Sequence, residues 1–258
     1  MIDTHCHLTY DGLHERAKQV IADAHAAGVD RMISVGTTPE DAQQAIALTQ
    51  RFDNVYATAG LHPGYAHQAD LNILSATLRS LATHPRVVAL GEMGLDRHYP
   101  DPPIALQRKA FAIQLDLLRE LDDLPGIIHN RQATDDTLAM IADSGIAGDR
   151  LVFHCFTGEV AEVDLILALG AMVSFTGIVT FNSAQNVALA SDRVPMDRLM
   201  IETDSPYLTP APFRKVRPNE PQYVREVARF LAQRRGMETK DFVNQVDANA
   251  RRFFKLPD

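Results

Sequence analysis

Cysteine is scarce in this 258-residue chain: Cys6 and Cys155 are all it has, too few for a disulfide framework. Long apolar runs are missing too, so nothing in the sequence reads as a bilayer span. The N-terminus also lacks the basic-then-apolar pattern of a secretion signal. Together these absences point to the cytoplasm. No low-complexity tract, internal repeat or linker divides the chain. Positive charge is in deficit, with 25 Lys and Arg against 33 Asp and Glu, a formal net charge of −8. Non-specific duplex binding rests on Lys and Arg neutralising phosphates, so a protein that coats DNA is disfavoured. A protein that grips one or two phosphates locally is not. Apolar residues at 46% and charged residues at 22% are ordinary for a globular chain, and the length suits one large domain with a sizeable core.

The chain contains a regular alternation of elements. Short β-type runs are expected at the N-terminus and at 31–35, 55–61, 87–92, 125–129, 151–154, 171–175 and 199–202. Helical spacing of apolar residues predicts helices at 12–27, 39–52, 70–83, 104–122, 134–144, 159–169, 183–191 and 220–235, with two further short helices in 239–255. The inner stripe of 104–122 reads as Leu106, Ala110, Ile113, Leu117 and Leu121. Strands alternating with helices imply a parallel sheet with helices outside it. Eight such units over residues 1–258 match a single-domain (β/α)8 TIM barrel, whose active site lies at the C-terminal strand ends. A doubly wound open sheet is the competitor, but no Gly-x-Gly-x-x-Gly turn follows the first strand.

The polar residues of interest fall at those strand ends. His5 and His7, one residue apart in an extended segment, share a face, with Asp3 behind them. His62 ends the third strand, Glu92 the fourth, His129 the fifth and His154 the sixth, and Asp204 lies just past the eighth. A lone strand-end histidine is more often a hydrogen-bonded structural residue than a ligand. So many imidazoles and carboxylates in register with one edge are hard to explain that way. The inventory exceeds the three protein ligands of a typical catalytic zinc site. Divided around a bridging carboxylate, it suits two divalent ions roughly 3.5–4 Å apart and hydrolysis by an activated water. Imidazole with carboxylate accommodates zinc, manganese or nickel, and oxygen ligands with water admit magnesium. His14, His25, His67 and His84 lie away from the strand ends, and His98 sits in a loop that could face substrate. Alternation turns both cysteines away from the ligand edge, as packed thiols.

These residues sit in the segments Met1 to Leu8, Gly60 to Pro63, Gly91 to Asp96, Ile128 to Arg131, His154 to Gly158 and Glu202 to Tyr207. In sequence and order the segments resemble the TatD family of metal-dependent hydrolases, and Val194 to Pro212 is most similar to its YcfH-type branch. The resemblance spans nearly the whole chain. It implies an amidohydrolase-related barrel in which His5, His7 and Asp204 bind one metal, Glu92 bridges, and His129 and His154 hold the second. It further implies that His62 and Arg131 grip a substrate phosphate and that Tyr207 contacts the substrate. Two positions depart from the family pattern: Gln132 replaces an acidic residue, and Gly64 stands where many members carry a second histidine.

The expected activity is a metal-dependent deoxyribonuclease or phosphodiesterase of 3'-5' exonuclease type. Asp204 would orient the water and accept its proton, and Glu92 would support it from the metal pair. Arg214, Lys215 and Arg217 would give a positive rim. The substrate would be a DNA end or a small phosphoester, with no membrane and no obligate protein partner. The rival reading is an amidohydrolase-type enzyme acting on a small amide, lactone or phosphoester.

Overall fold

The computed structural model describes residues 1–257. In chain order its elements are β1 (Ile2–Cys6), α1 (Ala17–Ala26), β2 (Arg31–Ser34), α2 (Pro39–Thr49), β3 (Val55–Ala59), α3 (Leu74–Ala82), β4 (Val87–Asp96) and α4 (Ile104–Glu120). There follow β5 (Gly126–Arg131), α5 (Thr134–Ser144), β6 (Leu151–Phe153), α6 (Val160–Leu169), β7 (Met172–Phe175), α7 (Gln185–Arg193), β8 (Leu199–Ile201), α8 (Val224–Arg234) and α9 (Thr239–Phe254). Among the described residues the strands make one eight-stranded sheet in the order β1 to β8. A parallel bridge between Cys6 and Ser205 ties the first strand to the residues after the last. This is the (β/α)8 barrel expected from the alternation. No helix among the described residues is long and apolar enough to cross a membrane.

Contacts divide the chain into two compact units. The first comprises Met1–Ser34, Cys155–Ala168 and the residues from Met172 on, and so carries β1, β2, β7 and β8. β1 is buried at every position. In this unit α9 packs on β8 and β1. Asn249 of α9 donates to the carbonyls of Met196 and Leu199, and Asp247 accepts the Ile2 N–H. The sequence reading places two short helices in 239–255, whereas α9 is continuous. Phe242, Val246, Asn249, Ala250 and Phe253 keep one buried face at helical spacing, and no Gly or Pro interrupts them.

The second unit comprises Val35–His154 with Leu169–Ala171, and carries β3 to β6. Its longest strand, β4, is buried at all ten positions and runs past Glu92 to Asp96. The expected strand stops at Glu92; on either side of that residue Gly91 and Gly94 permit close backbone approach. A Cβ on Gly94 would lie 1.9 Å from the His129 carbonyl oxygen, and Gly94 is paired with His129 in the β4–β5 register.

The buried face of α4 is rotated from the expected stripe. It centres on Gln107, Ala110, Phe111, Gln114, Leu117 and Leu118, while Leu106, Ile113 and Leu121 are only half-buried. Two buried glutamines set this face. The β3–β4 pairing ends at Ala59 opposite Leu90, so the outward peptide groups beyond it lack a strand partner. Gln114 accepts the Leu61 N–H at 2.8 Å and donates to the Leu61 carbonyl at 3.1 Å. Gln107 does the same for Asp96, at 2.8 and 2.9 Å, and also donates to Pro102. Each primary amide stands in for a missing strand peptide, which answers the requirement that buried backbone groups be paired.

Candidate metal centre

In the first unit, His5 and His7 project from the end of β1, as alternation predicts. Asp204 faces both: its Oδ1 lies 3.3 Å from His7 Nε2 and 3.7 Å from His5 Nε2. Two backbone hydrogen bonds set this alignment, from Asp204 N–H to the His5 carbonyl at 2.9 Å and from His7 N–H to the Ser205 carbonyl at 2.8 Å. Asp204 adopts φ 54°, a left-handed conformation that Asp and Asn tolerate better than most side chains. Asn219, fully buried in the proline-rich loop after β8, braces the turn by donating to the carbonyls of Thr203 and Tyr207.

Behind these side chains Asp3 is buried. It accepts the Thr203 N–H at 2.9 Å and the Thr203 hydroxyl at 2.6 Å. Burial pushes its pKa up to about 8 against the lowering effect of those hydrogen bonds, and the nearby Glu202 charge adds to the rise.

In the second unit three imidazoles converge on Glu92. Its Oε1 lies 2.7 Å from His129 Nδ1, 2.7 Å from His154 Nε2 and 3.5 Å from His62 Nε2. Burial alone would raise the Glu92 pKa. The facing imidazoles of His154 and His62, with hydrogen bonds from His129 and His154, outweigh it and hold the carboxyl well below its usual range. His129 reaches a second carboxylate as well, with Nε2 3.1 Å from Asp96 Oδ2. Burial depresses an imidazole, but the bonds to Asp96 and Glu92 prevail and raise the His129 pKa. Asp96 shifts the opposite way: burial would raise its carboxyl, and the His129 contact lowers it.

The donors suit divalent ions. Ligand atoms of His5, His7 and Asp204 all lie within 4.8 Å of one another, as do those of His62, Glu92 and His129. His129 Nδ1 and His154 Nε2 are 3.4 Å apart. That is close to the edge of a tetrahedron with Zn–N bonds of about 2.0–2.1 Å. His62 is different. Its Nδ1 accepts the Gly64 N–H at 2.9 Å, which assigns the ring proton to Nε2. A nitrogen carrying a proton donates a hydrogen bond and does not ligate, so His62 is a donor facing the cluster.

The remaining predicted residues are spread around these clusters. Arg131 ends β5, its guanidinium 5.4 Å from the ring centre of the exposed Tyr99. Tyr207 follows Asp204, is 53% exposed, and meets Tyr10 edge-on at 6.3 Å. Tyr10 in turn stacks on His7 at 4.6 Å. The rim residues are partly committed elsewhere: Arg214 lies over Phe181, and Arg217 donates to Thr209 and to two loop carbonyls. His98 packs against Tyr99, outside both clusters. Cys6 is buried and donates to the Ile33 carbonyl, and burial pushes its thiol pKa up. Cys155 gives its N–H to Glu202 at 2.6 Å, from a left-handed backbone.

Sequence reasoning missed Asp96, Gln107, Gln114 and Asn219. For Asp96 a signal existed, because residues 92, 94 and 96 share a strand face. For the amides none did, because their partners are backbone groups.

The family described as TatD related DNase matches residues 2–255. The chain belongs to the TatD family. Among TatD relatives, the metal-dependent hydrolase YcfH of Escherichia coli K12 is 37% identical over 259 residues, covering 99% of this chain and 96% of the relative. The 3'-5' ssDNA/RNA exonuclease TatD of Erwinia billingiae is 37% identical over 265 residues and covers all of both chains. Of solved structures, the TatD homologue YjjV from Escherichia coli K12 superposes with a TM-score of 0.93 at 26% identity, covering 100% of this chain and 98% of that one.

Proposed function

We propose that this TatD-family hydrolase is a divalent-metal-dependent phosphodiesterase that removes nucleotides from the 3' end of single-stranded DNA, working as one catalytic domain over residues 1–258. The observation that carries the reading is the pair of histidine–carboxylate clusters, in a chain that matches a relative named as a 3'-5' ssDNA/RNA exonuclease end to end. One ion would be held by His5, His7 and Asp204, and a second by His129, His154 and Glu92. Magnesium, manganese and zinc are the ions to test. Bound divalent ions would supply Lewis acidity and lower the pKa of an attacking water.

The chain's own residues supply the rest. Asp204 orients the water and accepts its proton. Glu92, ionised at neutral pH, gives the cluster its negative charge. His62 donates its Nε2 proton in a hydrogen bond to a phosphoryl oxygen, and Arg131 neutralises charge that develops there. Tyr207 stacks on the terminal base. Gripping a single strand end requires few phosphate contacts, which suits a chain with a net charge of −8.

The test is digestion of a 5'-labelled single-stranded oligonucleotide by metal-stripped protein reloaded with each ion. A ladder shortening from the 3' end is expected, and Glu92→Ala should abolish it. An intact oligonucleotide with every ion defeats the nuclease reading. A parallel panel of small amides, lactones and phosphoesters measures the rival reading, because the same ligands would serve those substrates.

A further inference from the structure

Which nitrogen of a histidine ligates a metal is decided by what the other nitrogen touches. At His129 the far nitrogen, Nε2, points at Asp96 Oδ2 at 3.1 Å, while Nδ1 faces Glu92 and His154. An ionised carboxylate accepts hydrogen bonds and donates none. Asp96 therefore holds a proton on Nε2, while the proton that Glu92 Oε1 holds on Nδ1, 2.7 Å away, is the one an ion bound beside Glu92 would displace.

Asp96 is built to hold that position. It is 4% exposed, and its other carboxylate oxygen accepts the His98 N–H at 2.8 Å. Its own N–H and carbonyl are both clamped by the buried amide of Gln107. The close approach at Gly94 sets β4 against β5 at the level of His129.

We propose that Asp96 is a positioning residue which selects Nδ1 of His129 as the metal-ligating atom. The inference rests on the metal-dependent reading above and adds to it a residue outside the six ligands. Asp96→Asn is a sharp perturbation, because the His98 N–H still demands an oxygen at Oδ1. The amide NH2 must then face His129 Nε2, which favours the opposite tautomer, with the proton on Nδ1.

Titration of zinc(II) alone into the metal-stripped full-length chain, followed by calorimetry, should show binding at the second cluster ten- to a hundredfold weaker in Asp96→Asn. Long-range 1H–15N spectra of the unmodified, zinc-loaded chain provide a readout that does not depend on the variant folding. They should show His129 protonated at Nε2 and shifted by metal at Nδ1, the signal being assigned by its loss in His129→Gln. Ligation through Nε2, or a folded Asp96→Asn chain that binds zinc as tightly as the parent, overturns the assignment of Asp96 while leaving the metal reading intact. A parent chain that binds no zinc, magnesium or manganese at all overturns both.

Discussion

Replacing Gln107 with leucine isolates the contribution of a buried side chain that stands in for a strand. Leucine has similar bulk and keeps the apolar contacts of α4, but it removes three hydrogen bonds: one accepted from Asp96 N–H and two donated, to Asp96 and Pro102 carbonyls. Gln107 is 2% exposed, so water does not readily replace it. Each backbone group left unsatisfied costs about 1–3 kcal/mol. Allowing for relaxation of the two carbonyls, which tolerate under-satisfaction better than an N–H does, we expect a loss of about 3–5 kcal/mol. Urea unfolding followed by circular dichroism measures it, with an unchanged slope showing that the unfolded state is not the cause. Gln114→Leu is the matched control two helical turns away, at Leu61. The pair shares no partner, so the two losses should add to within about 0.5 kcal/mol. A loss below about 1 kcal/mol for Gln107→Leu would refute the idea that these amides complete the ladder.

Asp3 should make metal-stripped protein pH-sensitive. Its folded pKa is raised to about 8, so its stabilising contribution is full below pH ~4 and is lost as pH rises through ~8. Asp3→Asn should therefore flatten the urea-derived stability between pH 5 and 8, and parallel profiles in the two chains would exclude Asp3 as the source. Zinc binding at the second cluster should displace a proton from His129, whose pKa is raised. Calorimetry in buffers of different ionisation enthalpy should report that release, with affinity increasing with pH; heats independent of buffer would contradict it. Tyr207→Ala should raise KM for single-stranded DNA roughly tenfold, as expected for one lost base stack. Tyr207→Phe should stay near the parent value, and a matching loss in both variants would assign the contact to the hydroxyl instead.

Legibility in the sequence followed the range of the interaction involved. Strand ends and their side-chain directions follow from a period of two, so His5, His7, Glu92, His129 and His154 could be placed at strand ends from the sequence. The alternation likewise carried the barrel. What was illegible depended on backbone groups whose pairing is known only once the strands are assembled. Leu61 and Asp96 need an amide because β3 stops at Ala59 while β4 continues to Asp96. No property of Gln107 or Gln114 as residues announces that. Apolar periodicity placed the α4 stripe off-centre, right at Ala110 and Leu117 but rotated from the buried face, since it counts a buried glutamine as outward-facing. The strand expected to end at Glu92 runs on to Asp96, because Gly91 and Gly94 allow the next strand to approach in a crowded parallel sheet.

The same dependence on backbone governs the chemistry assigned to the imidazoles. His62 and His129 both lie beside Glu92, and by residue type alone either could be a ligand. Their far nitrogens separate them. A peptide N–H at Gly64 makes His62 Nδ1 an acceptor and its Nε2 a proton donor. A carboxylate at Asp96 makes His129 Nε2 a donor and turns Nδ1 toward Glu92 and His154. In the proposed function the first ring hydrogen-bonds a substrate and the second holds an ion. Gly64 keeps the first arrangement available without a family histidine at that position, because the contact to His62 is made by its backbone. A side chain added there would begin 3.0 Å from His62 Nδ1, so it would press on the ring it is meant to orient. The departure at residue 64 thus bears on how firmly His62 is held, and leaves untouched which of its nitrogens carries the proton.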